Sequence, residues 1–174
     1  MRVLVTNDDG IDSEGMHALA RMGEKAGHDV FIVAPNFDAS GTGASLGPLS
    51  RKDDIVYNKH AIDDFKGEAY SINGPPALCV IVGHLEAFGP APDLVLSGVN
   101  PGLNTGRSTL HSGTVGAALT AQNFGSKGLA VSLHSEDESI PWLWETAVTS
   151  AEFCLPIIES AKRKTILNVN VPGL

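Results

Sequence analysis

The strand–helix–strand pattern of the first 35 residues constrains the fold more than any other feature of this sequence. Residues 2–6 are β-branched and apolar on both faces, as in a strand that is buried inside a parallel sheet. Residues 15–26 place apolar side chains at helical intervals, and residues 28–34 form a second apolar strand that ends at Pro35. This unit predicts a right-handed crossover and two parallel strands.

The same alternation of strands and helices continues along the chain. Further strands are predicted at residues 55–57, 68–72, 93–97, 129–133 and 166–171, helices at 77–88, 112–124 and 141–161 with a kink or break at Pro156, and polar loops at 36–50 and 100–111. We therefore expect an α/β fold with a Rossmann-like, doubly wound, mostly parallel sheet and a short β meander (55–57 and 68–72) beside it. No repeat or linker interrupts residues 1–174, so we expect a single domain.

Composition and charge exclude several classes of partner. The chain has 174 residues, 43% hydrophobic residues and a formal net charge of −8, so no binding to a nucleic acid polymer or to an anionic membrane is expected. The N-terminus does not resemble a signal peptide, and no apolar stretch approaches the length of a membrane span. Cys79 and Cys154 lie in apolar stretches that predict reduced core residues, which favours a cytoplasmic location.

The residues that are capable of chemistry follow predicted strands, where ligands bind in folds of this class. These are Asn7, Asp8 and Asp9 after the first strand, Ser40, Gly41 and Thr42 after the second, Ser97, Gly98, Asn100 and Asn104 after the strand at 93–97, and the "HSGT" turn before the next helix. We expect these side chains to meet at one edge of the sheet.

Two interpretations fit the adjacent carboxylates of Asp8 and Asp9. Carboxylate oxygens suit Mg²⁺, Mn²⁺ or Ca²⁺, and the repulsion between two close carboxylates favours a bound divalent cation or a raised pKa. An Asp-Gly sequence is equally common in a solvated turn. The hydroxyl of Ser40 and the amide oxygen of Asn100 would complete a hard-cation site that leaves positions open for a phosphate oxygen and a water.

The segment Ser112–Gly113–Thr114 opens a predicted helix and also has two interpretations. Backbone N–H groups at a helix N-terminus bind phosphate well, and two hydroxyls stand beside them. The same residues are equally consistent with an ordinary N-cap. His111 adjoins this turn and could protonate a leaving oxygen, although a surface or structural role is as consistent with the sequence. Neither a Walker A loop nor a GxGxxG motif after the first strand is present.

The ordered set of motifs resembles the SurE family of stationary-phase survival proteins, which are metal-dependent nucleoside monophosphate phosphatases. The motifs are "NDDG", "VAP" followed by a Ser-Gly loop, "DLVLSGVNPGLNTG", "HSGTVGAA" and "LNVNVP", and together they span nearly the whole chain. The resemblance implies a divalent cation, Mg²⁺ or Mn²⁺ (Ca²⁺ being possible in a crystal), one per subunit, at residues matching Asp8, Asp9, Ser40 and Asn100. It also implies phosphate contacts at Ser112, Gly113 and Thr114, with Asn104 as a further polar position in the same region.

This sequence departs from the family pattern at three places. His111 stands where the family usually has a tyrosine, and residues 74–79 read Gly-Pro-Pro-Ala-Leu-Cys where the family usually has Gly-Thr-Pro-x-Asp-Cys. Family members also continue beyond the position of Leu174 into a C-terminal segment that is absent from the sequence given. That segment commonly contributes to subunit exchange, so the expected homodimer or homotetramer depends on the family resemblance.

The resemblance and the residues together predict a divalent-metal-dependent phosphomonoesterase that hydrolyses nucleoside 5′-monophosphates, and also 3′-monophosphates, to nucleoside and phosphate. Asp8 and Asp9 are the expected catalytic residues, and the sequence leaves open which of them handles the water. The alternatives are a metal-bound nucleotide-binding module with little turnover and a receiver-like signalling domain. A receiver would need a phosphoacceptor Asp after a central strand, where this chain has Ser97 and Asn100.

Overall fold

The computed structural model describes residues 1–47, 55–136 and 141–173. Within these residues the chain forms a seven-stranded sheet with the order β3-β4-β2-β1-β5-β6-β7. The strands are β1 (Arg2–Thr6), β2 (Asp29–Pro35), β3 (Tyr57–His60), β4 (Ala69–Ile72), β5 (Leu94–Pro101), β6 (Lys127–Leu133) and β7 (Ile166–Val171). Every pair is parallel except the edge pair β3–β4. The predicted α/β class and the mostly parallel sheet are therefore confirmed.

The helices cover both faces of this sheet. They are α1 (Glu14–Lys25), α2 (Pro76–His84), α3 (Gly113–Asn123) and α4 (Trp144–Ser160), and a 3-10 helix spans Gly106–Leu110. Helices α1 and α4 contribute to one apolar cluster, whereas α2 and α3 contribute to a second cluster on the opposite face. The arrangement is doubly wound, because consecutive crossovers place helices on both sides of the parallel strands. No helix of the described residues is long and apolar enough to span a membrane.

Strand β1 shows why a continuous apolar run was needed at the centre of the sheet. Val3 and Val5 pack into the cluster with α1 and α4, and Leu4 packs into the cluster with α2. All three side chains are fully buried, because alternate residues of a central strand point to opposite covered faces. At the start of the strand, Arg2 donates to Asp29 Oδ2 at 2.5 Å and to the carbonyl oxygens of Phe88 and Pro90.

Small residues let α3 approach its neighbours closely. A Cβ atom on Gly116 would lie 2.4 Å from the carbonyl oxygen of Gly43, and one on Gly128 would lie 2.9 Å from the Cβ of Ala118. The N–H of Gly43 also donates to the carbonyl oxygen of His111 at 3.0 Å. The start of α3 is thus packed directly against the loop that follows β2, which brings two of the predicted site segments together.

Several element bounds differ from the sequence-based predictions. The two short strands extend one end of the sheet, with β3 at the edge and β4 paired in parallel with β2, and β3 runs from Tyr57 to His60. Strand β5 continues to Pro101 through a register shift between Ser97 and Asn100. Helix α4 starts at Trp144 and continues through Pro156, so the predicted break does not occur. Residues 48–50 of the predicted loop 36–50 lie outside the described residues.

Candidate metal and phosphate site

The candidate site lies where the strand order reverses, between β1 and β5. From β1 the chain proceeds through β2 to β4 on one side of the sheet, and from β5 through β6 to β7 on the other. The crevice beyond the carboxyl ends of two such strands is the usual ligand site of doubly wound sheets. Asp8 and Asp9 follow β1, and Asn100 lies near the end of β5.

Asp8 is buried and hydrogen-bonded at both carboxylate oxygens. Its Oδ1 accepts from the Thr114 hydroxyl at 2.6 Å, and its Oδ2 accepts from the Gly113 N–H at 3.1 Å. The carbonyl oxygen of Asp8 accepts from the N–H of Ala39 at 2.7 Å. These bonds connect the end of β1 to the start of α3 and to the loop after β2. Gly113 is needed here, because a Cβ atom on it would lie 2.7 Å from the Cβ of Asp8.

Burial and hydrogen bonding act in opposite directions on the Asp8 carboxyl. Removal from water raises its pKa above the usual value, and this is the largest cause. The hydrogen bonds from Thr114 and Gly113 favour the charged form and lower the pKa in part. The net shift of the Asp8 pKa is upward. The hydrogen bonds therefore hold the carboxylate in place but do not fully compensate its negative charge.

The negative charge of Asp9 is poorly compensated by its surroundings. Its Oδ2 is buried and has no hydrogen-bond partner among the described residues. Burial is the largest cause that raises its pKa, followed by the charges of Asp8 and Asp38, and together they raise the pKa of Asp9 to about 7. Hydrogen bonds from the backbone and from the Asn7 side chain lower this pKa only in part. A buried carboxylate with one unpartnered oxygen is costly to ionise unless a cation lies beside it.

The turn that the Asp-Gly sequence predicts is present after β1 and is closed by the side chain of Asn7. Asn7 Oδ1 accepts from the N–H of Gly10 at 3.2 Å, and Asn7 Nδ2 donates to the carbonyl oxygen of Gly10 at 3.0 Å. Gly10 has a φ of +104°, a conformation that favours glycine. The turn is therefore present, but it is not a solvated one, because Asp8 is only 4% exposed. The turn interpretation of "NDDG" therefore holds for the backbone, and the metal interpretation stays a prediction.

Ser40 lies near the aspartates and is hydrogen-bonded to Asp38, a carboxylate that was not predicted from the sequence. The Ser40 hydroxyl donates to Asp38 Oδ1 at 2.6 Å, and the Ser40 N–H donates to the same oxygen at 2.9 Å. These hydrogen bonds hold the pKa of Asp38 below its usual value. Asp38 thus stays charged and leaves the lone pairs of the Ser40 hydroxyl available. Its place two residues before Ser40, in the loop after β2, was the signal that could have identified it.

Asn100 presents its amide oxygen toward the start of α3. Its Nδ2 donates to the carbonyl oxygen of Gly102 at 2.6 Å, and its Oδ1 lies 3.3 Å from the Thr114 hydroxyl. That hydroxyl has one proton, and the shorter contact of 2.6 Å assigns it to Asp8. The Asn100 amide oxygen is therefore available as a neutral ligand beside the Asp8 carboxylate.

The three predicted phosphate residues at the start of α3 are already engaged within the protein. The Ser112 hydroxyl accepts from the Val115 N–H at 3.1 Å, which is an N-cap bond. The Gly113 N–H and the Thr114 hydroxyl both donate to Asp8. Ser112 lines the cavity, whereas Thr114 is fully buried. The N-cap interpretation is thus observed, and phosphate binding at these residues stays a prediction.

Asn104 lines the site and is hydrogen-bonded to residues of strands β6 and β7. Its Nδ2 donates to the Ser132 hydroxyl at 2.9 Å, and its N–H donates to Asn170 Oδ1 at 2.7 Å. The "NVN" motif of β7 therefore positions the loop after β5, because Asn168 Nδ2 also donates to the Asn104 carbonyl oxygen at 2.9 Å.

These residues enclose one open, polar cavity of about 540 Å³. It is lined by Asp8, Asp9, Asp38, Ser40, Gly41, Asn100, Pro101, Asn104, Ser108, His111, Ser112 and Trp142. All four predicted metal ligands are in this set. Trp142 was not predicted from the sequence, because it precedes α4 and is more than a hundred residues away from the aspartates.

The chemistry of the donor set fits a hard divalent cation. Among the described residues no three His, Cys, Asp or Glu side chains are arranged to hold a metal, so a site here would combine carboxylates with neutral oxygens. Asp8, Asp9, Ser40 and Asn100 supply such oxygens, which suit Mg²⁺ and Mn²⁺. The unpartnered oxygen of Asp9 is the observation that calls for a cation.

The fold and the site define an α/β protein with an acidic, oxygen-lined cavity at the switch point of a doubly wound sheet. The model of the family described as "Survival protein SurE" matches residues 3–174, so the chain belongs to the SurE family.

Several named relatives match this chain along nearly its whole length. The "5′-nucleotidase SurE" of Brucella anthropi is 38% identical over 179 residues, which cover 99% of this chain and 66% of the relative. The protein of the same name from Stenotrophomonas maltophilia (strain R551-3) is 38% identical over 176 residues, which cover 100% of this chain and 64% of the relative. The chain thus spans 64–66% of the length of these relatives.

The fold is likewise similar to a solved structure. The crystal structure of the SurE protein from Aquifex aeolicus aligns with a TM-score of 0.81 at 32% sequence identity. The alignment covers 100% of this chain and 67% of that one.

Proposed function

We propose that this chain is a divalent-metal-dependent phosphomonoesterase that hydrolyses nucleoside 5′-monophosphates to nucleoside and phosphate, with activity that extends to 3′-monophosphates. The relatives named 5′-nucleotidase support the reaction class. The observation that carries the metal dependence is the buried, unpartnered oxygen of Asp9 beside two further carboxylates. We propose Asp8, Asp9, Ser40 and Asn100 as the ligands of Mg²⁺ or Mn²⁺.

The two aspartates differ in what they are free to do. Both carboxylate oxygens of Asp8 already accept hydrogen bonds from Thr114 and Gly113, which fix its orientation. The Oδ2 atom of Asp9 has no hydrogen-bond partner, so we assign this oxygen to the cation and assign to Oδ1 the orientation of the attacking water and the acceptance of its proton. A bound divalent cation would polarise a phosphate oxygen and lower the pKa of a water.

The other residues of the cavity would hold the phosphate. Ser108, Ser112 and His111 line the cavity and carry groups that can donate hydrogen bonds to phosphate oxygens. His111 also lies where it could protonate the leaving oxygen. Donors that face the transferred group and strengthen as negative charge develops stabilise the transition state.

The test is phosphate release from 5′-AMP, 5′-GMP, 3′-AMP, ribose 5-phosphate and short polyphosphate, each with Mg²⁺, with Mn²⁺ and with EDTA. We expect release from the nucleotides that EDTA abolishes. Asp8→Asn and Asp9→Asn should each lower kcat/KM by roughly a hundredfold or more, because each removes a charged ligand. Glu152→Gln, which removes an exposed carboxylate of α4, is the charge-matched control and should retain activity.

Two outcomes would replace this proposal. Binding of AMP without phosphate release would make the chain a nucleotide-binding module. Full, EDTA-sensitive turnover in both aspartate variants would show that the cation lies elsewhere.

We further propose a cytoplasmic protein that forms homodimers or homotetramers. The two cysteines are free, and exposed apolar side chains on α4, Phe153 at 78% and Ile157 at 59% exposure, offer a surface for self-association. Subcellular fractionation and light scattering of the purified chain test the two statements.

A further inference from the structure

A second cavity adjoins the metal and phosphate site and has no part in the chemistry described so far. Its volume is about 680 Å³, larger than the first cavity. The two cavities share Trp142, and residues of the turn after β1 line both of them. Asp8 and Asp9 line the first cavity. Ile11 and Asp12, which follow them after Gly10, line the second cavity. A ligand that extends from the first cavity along this turn would therefore enter the second.

Trp142 lines both cavities, and Trp144 lines the second one. The rings of Trp142 and Trp144 are stacked with centroids 5.5 Å apart and an interplanar angle of 16°. Trp144 in turn packs on α1, where a Cβ atom on Gly15 would lie 2.9 Å from its ring. Trp142 is thus supported from behind by Trp144 and α1, and it remains partly exposed to the cavities. A supported, partly exposed indole is a good platform for stacking a planar ring.

The carboxylates of the second cavity disfavour a second phosphate and favour an amino-bearing ring. Asp12, Glu14, Asp63 and Glu145 contribute four carboxylates, against one guanidinium from Arg21. In the part of the chain that the structure describes, none of these carboxylates forms a hydrogen bond or an ion pair. They can accept hydrogen bonds from the amino groups of adenine, cytosine or guanine, whereas uracil has a single ring N–H between two carbonyl oxygens.

The two histidines and the arginine of the cavity already have polar partners. His17 Nε2 contacts the carbonyl oxygen of Ile11 at 2.7 Å, and His60 Nε2 contacts the Ser71 hydroxyl at 2.8 Å. Arg21 Nη1 donates to the carbonyl oxygen of Asp63 at 3.3 Å. The free polar groups that face the cavity are therefore mainly acceptors.

We propose that this second cavity binds the nucleobase of a nucleoside monophosphate, with the base stacked on Trp142 and an amino group of the base donating to the wall carboxylates. This rests on the proposed function, because the phosphate is placed in the first cavity. The second cavity then selects nucleotides over sugar phosphates, and amino-bearing bases over uracil.

Binding can be measured without any turnover, because the two tryptophans of the chain are Trp142 and Trp144. Intrinsic fluorescence of the metal-free protein is titrated with guanosine, adenosine, uridine and ribose 5-phosphate. We expect saturable quenching by guanosine and adenosine, weaker quenching by uridine, and none by ribose 5-phosphate. Absence of quenching by every nucleoside would overturn the proposal.

Kinetics then separate base recognition from general damage to the site. Trp142→Ala should lower kcat/KM for GMP about tenfold more than for ribose 5-phosphate, the size expected for loss of one stacked base. Trp142→Phe retains a ring and should recover part of this difference. Phe124→Ala removes an exposed aromatic ring at the end of α3 that lines neither cavity, so it is the matched control.

Equal losses on GMP and on ribose 5-phosphate would overturn the proposal, because Trp142 would then act only on the shared site. If the wild type hydrolyses no phosphomonoester, the proposed function fails, whereas the fluorescence titration still decides whether the cavity binds nucleosides.

Discussion

At the scale of single residues, the site is a concentration of negative charge that the protein does not neutralise by itself. Asp8 has two hydrogen-bond donors and Asp38 has Ser40, but Asp9 retains a buried oxygen with no partner among the described residues. Such an arrangement destabilises the metal-free fold and prepares it for a cation, a common trade of stability for function.

This charge predicts that Asp9→Asn stabilises the metal-free protein. The folded-state pKa of Asp9 is raised from 3.8 to about 7, so its ionisation opposes folding above pH 4. The penalty is absent below pH 4, grows as the pH rises through this range, and is complete above about pH 7. At 1.36 kcal/mol per pH unit, the free energy of unfolding at pH 8 should increase by up to about 4 kcal/mol. Urea denaturation in EDTA at pH 4 and pH 8 measures it.

Glu152→Gln is the control for this prediction, because its carboxyl is exposed and its removal should leave stability unchanged at both pH values. Equal stability of Asp9→Asn and wild type at pH 8 would contradict the view that Asp9 is a strained carboxylate.

At the scale of elements, the site depends on how closely α3 approaches the loop after β2. Gly116 allows this contact, and Gly43 donates to His111 across it. The start of α3 also supplies both donors to Asp8. One helix terminus thus sets the distance between the aspartates and Ser40.

Gly116→Ala should therefore disrupt the site although alanine is the better helix former. Alanine would favour an exposed helix position by about 1 kcal/mol, but here its Cβ would lie 2.4 Å from the Gly43 carbonyl oxygen. The loop that carries Ser40 has to move, and we expect metal affinity and kcat/KM to fall about tenfold or more. Isothermal titration with Mn²⁺ and phosphate release measure the two effects.

Leu119→Ala, at a 44% exposed position of the same helix, should leave metal affinity and activity close to the wild-type values. Unchanged Mn²⁺ affinity in Gly116→Ala would show that the position of this loop does not control the site.

At the scale of the whole molecule, the proposed ligands come from three separate parts of the chain. Asp8 and Asp9 follow β1, Ser40 belongs to the loop after β2, and Asn100 lies on β5. A cation bound by all three would add direct bonds between segments that core packing and hydrogen bonds already hold together. Binding should therefore stabilise the fold globally.

We expect Mn²⁺ at a hundred times its Kd to add about 2.7 kcal/mol to the free energy of unfolding, which corresponds to a Tm increase of roughly 5–10 °C for a domain of this size. Asp8→Asn should lose most of this increase. Thermal denaturation with increasing Mn²⁺ measures it, and an equal Tm increase in Asp8→Asn would place the bound cation at another site.

The sequence predicted the fold, and it also predicted which residues meet at the site, but it did not establish what those residues do. The bounds of β1 and β7 agree with prediction because β1 ends before the polar residues Asn7 and Asp8, and β7 ends before Pro172 and Gly173. Asp8, Asp9, Ser40 and Asn100 were predicted to meet because parallel strands end at one edge of the sheet, and all four line one cavity. Their roles as ligands stay predictions.

The parts that were not predictable depend on side-chain placement and on long-range packing. That Gly113 and Thr114 donate to Asp8 follows from a close approach of α3 that no local pattern encodes. The extension of β5 to Pro101 depends on an irregular register with β6. Trp142 reaches the site from a segment before α4 without any periodic signal.

The hydrogen bonds of Arg2 have a practical consequence for engineering this protein. At the start of β1 its guanidinium is fully engaged, by Asp29 and by the carbonyl oxygens of Phe88 and Pro90, while six residues later the same strand leads into the strained acidic pair. The rim of the sheet around Arg2 is therefore the place to attach the protein to a solid support or to introduce thermostabilising substitutions. Changes at that end of the sheet leave Asp8 and Asp9, at the opposite end of β1, unaltered.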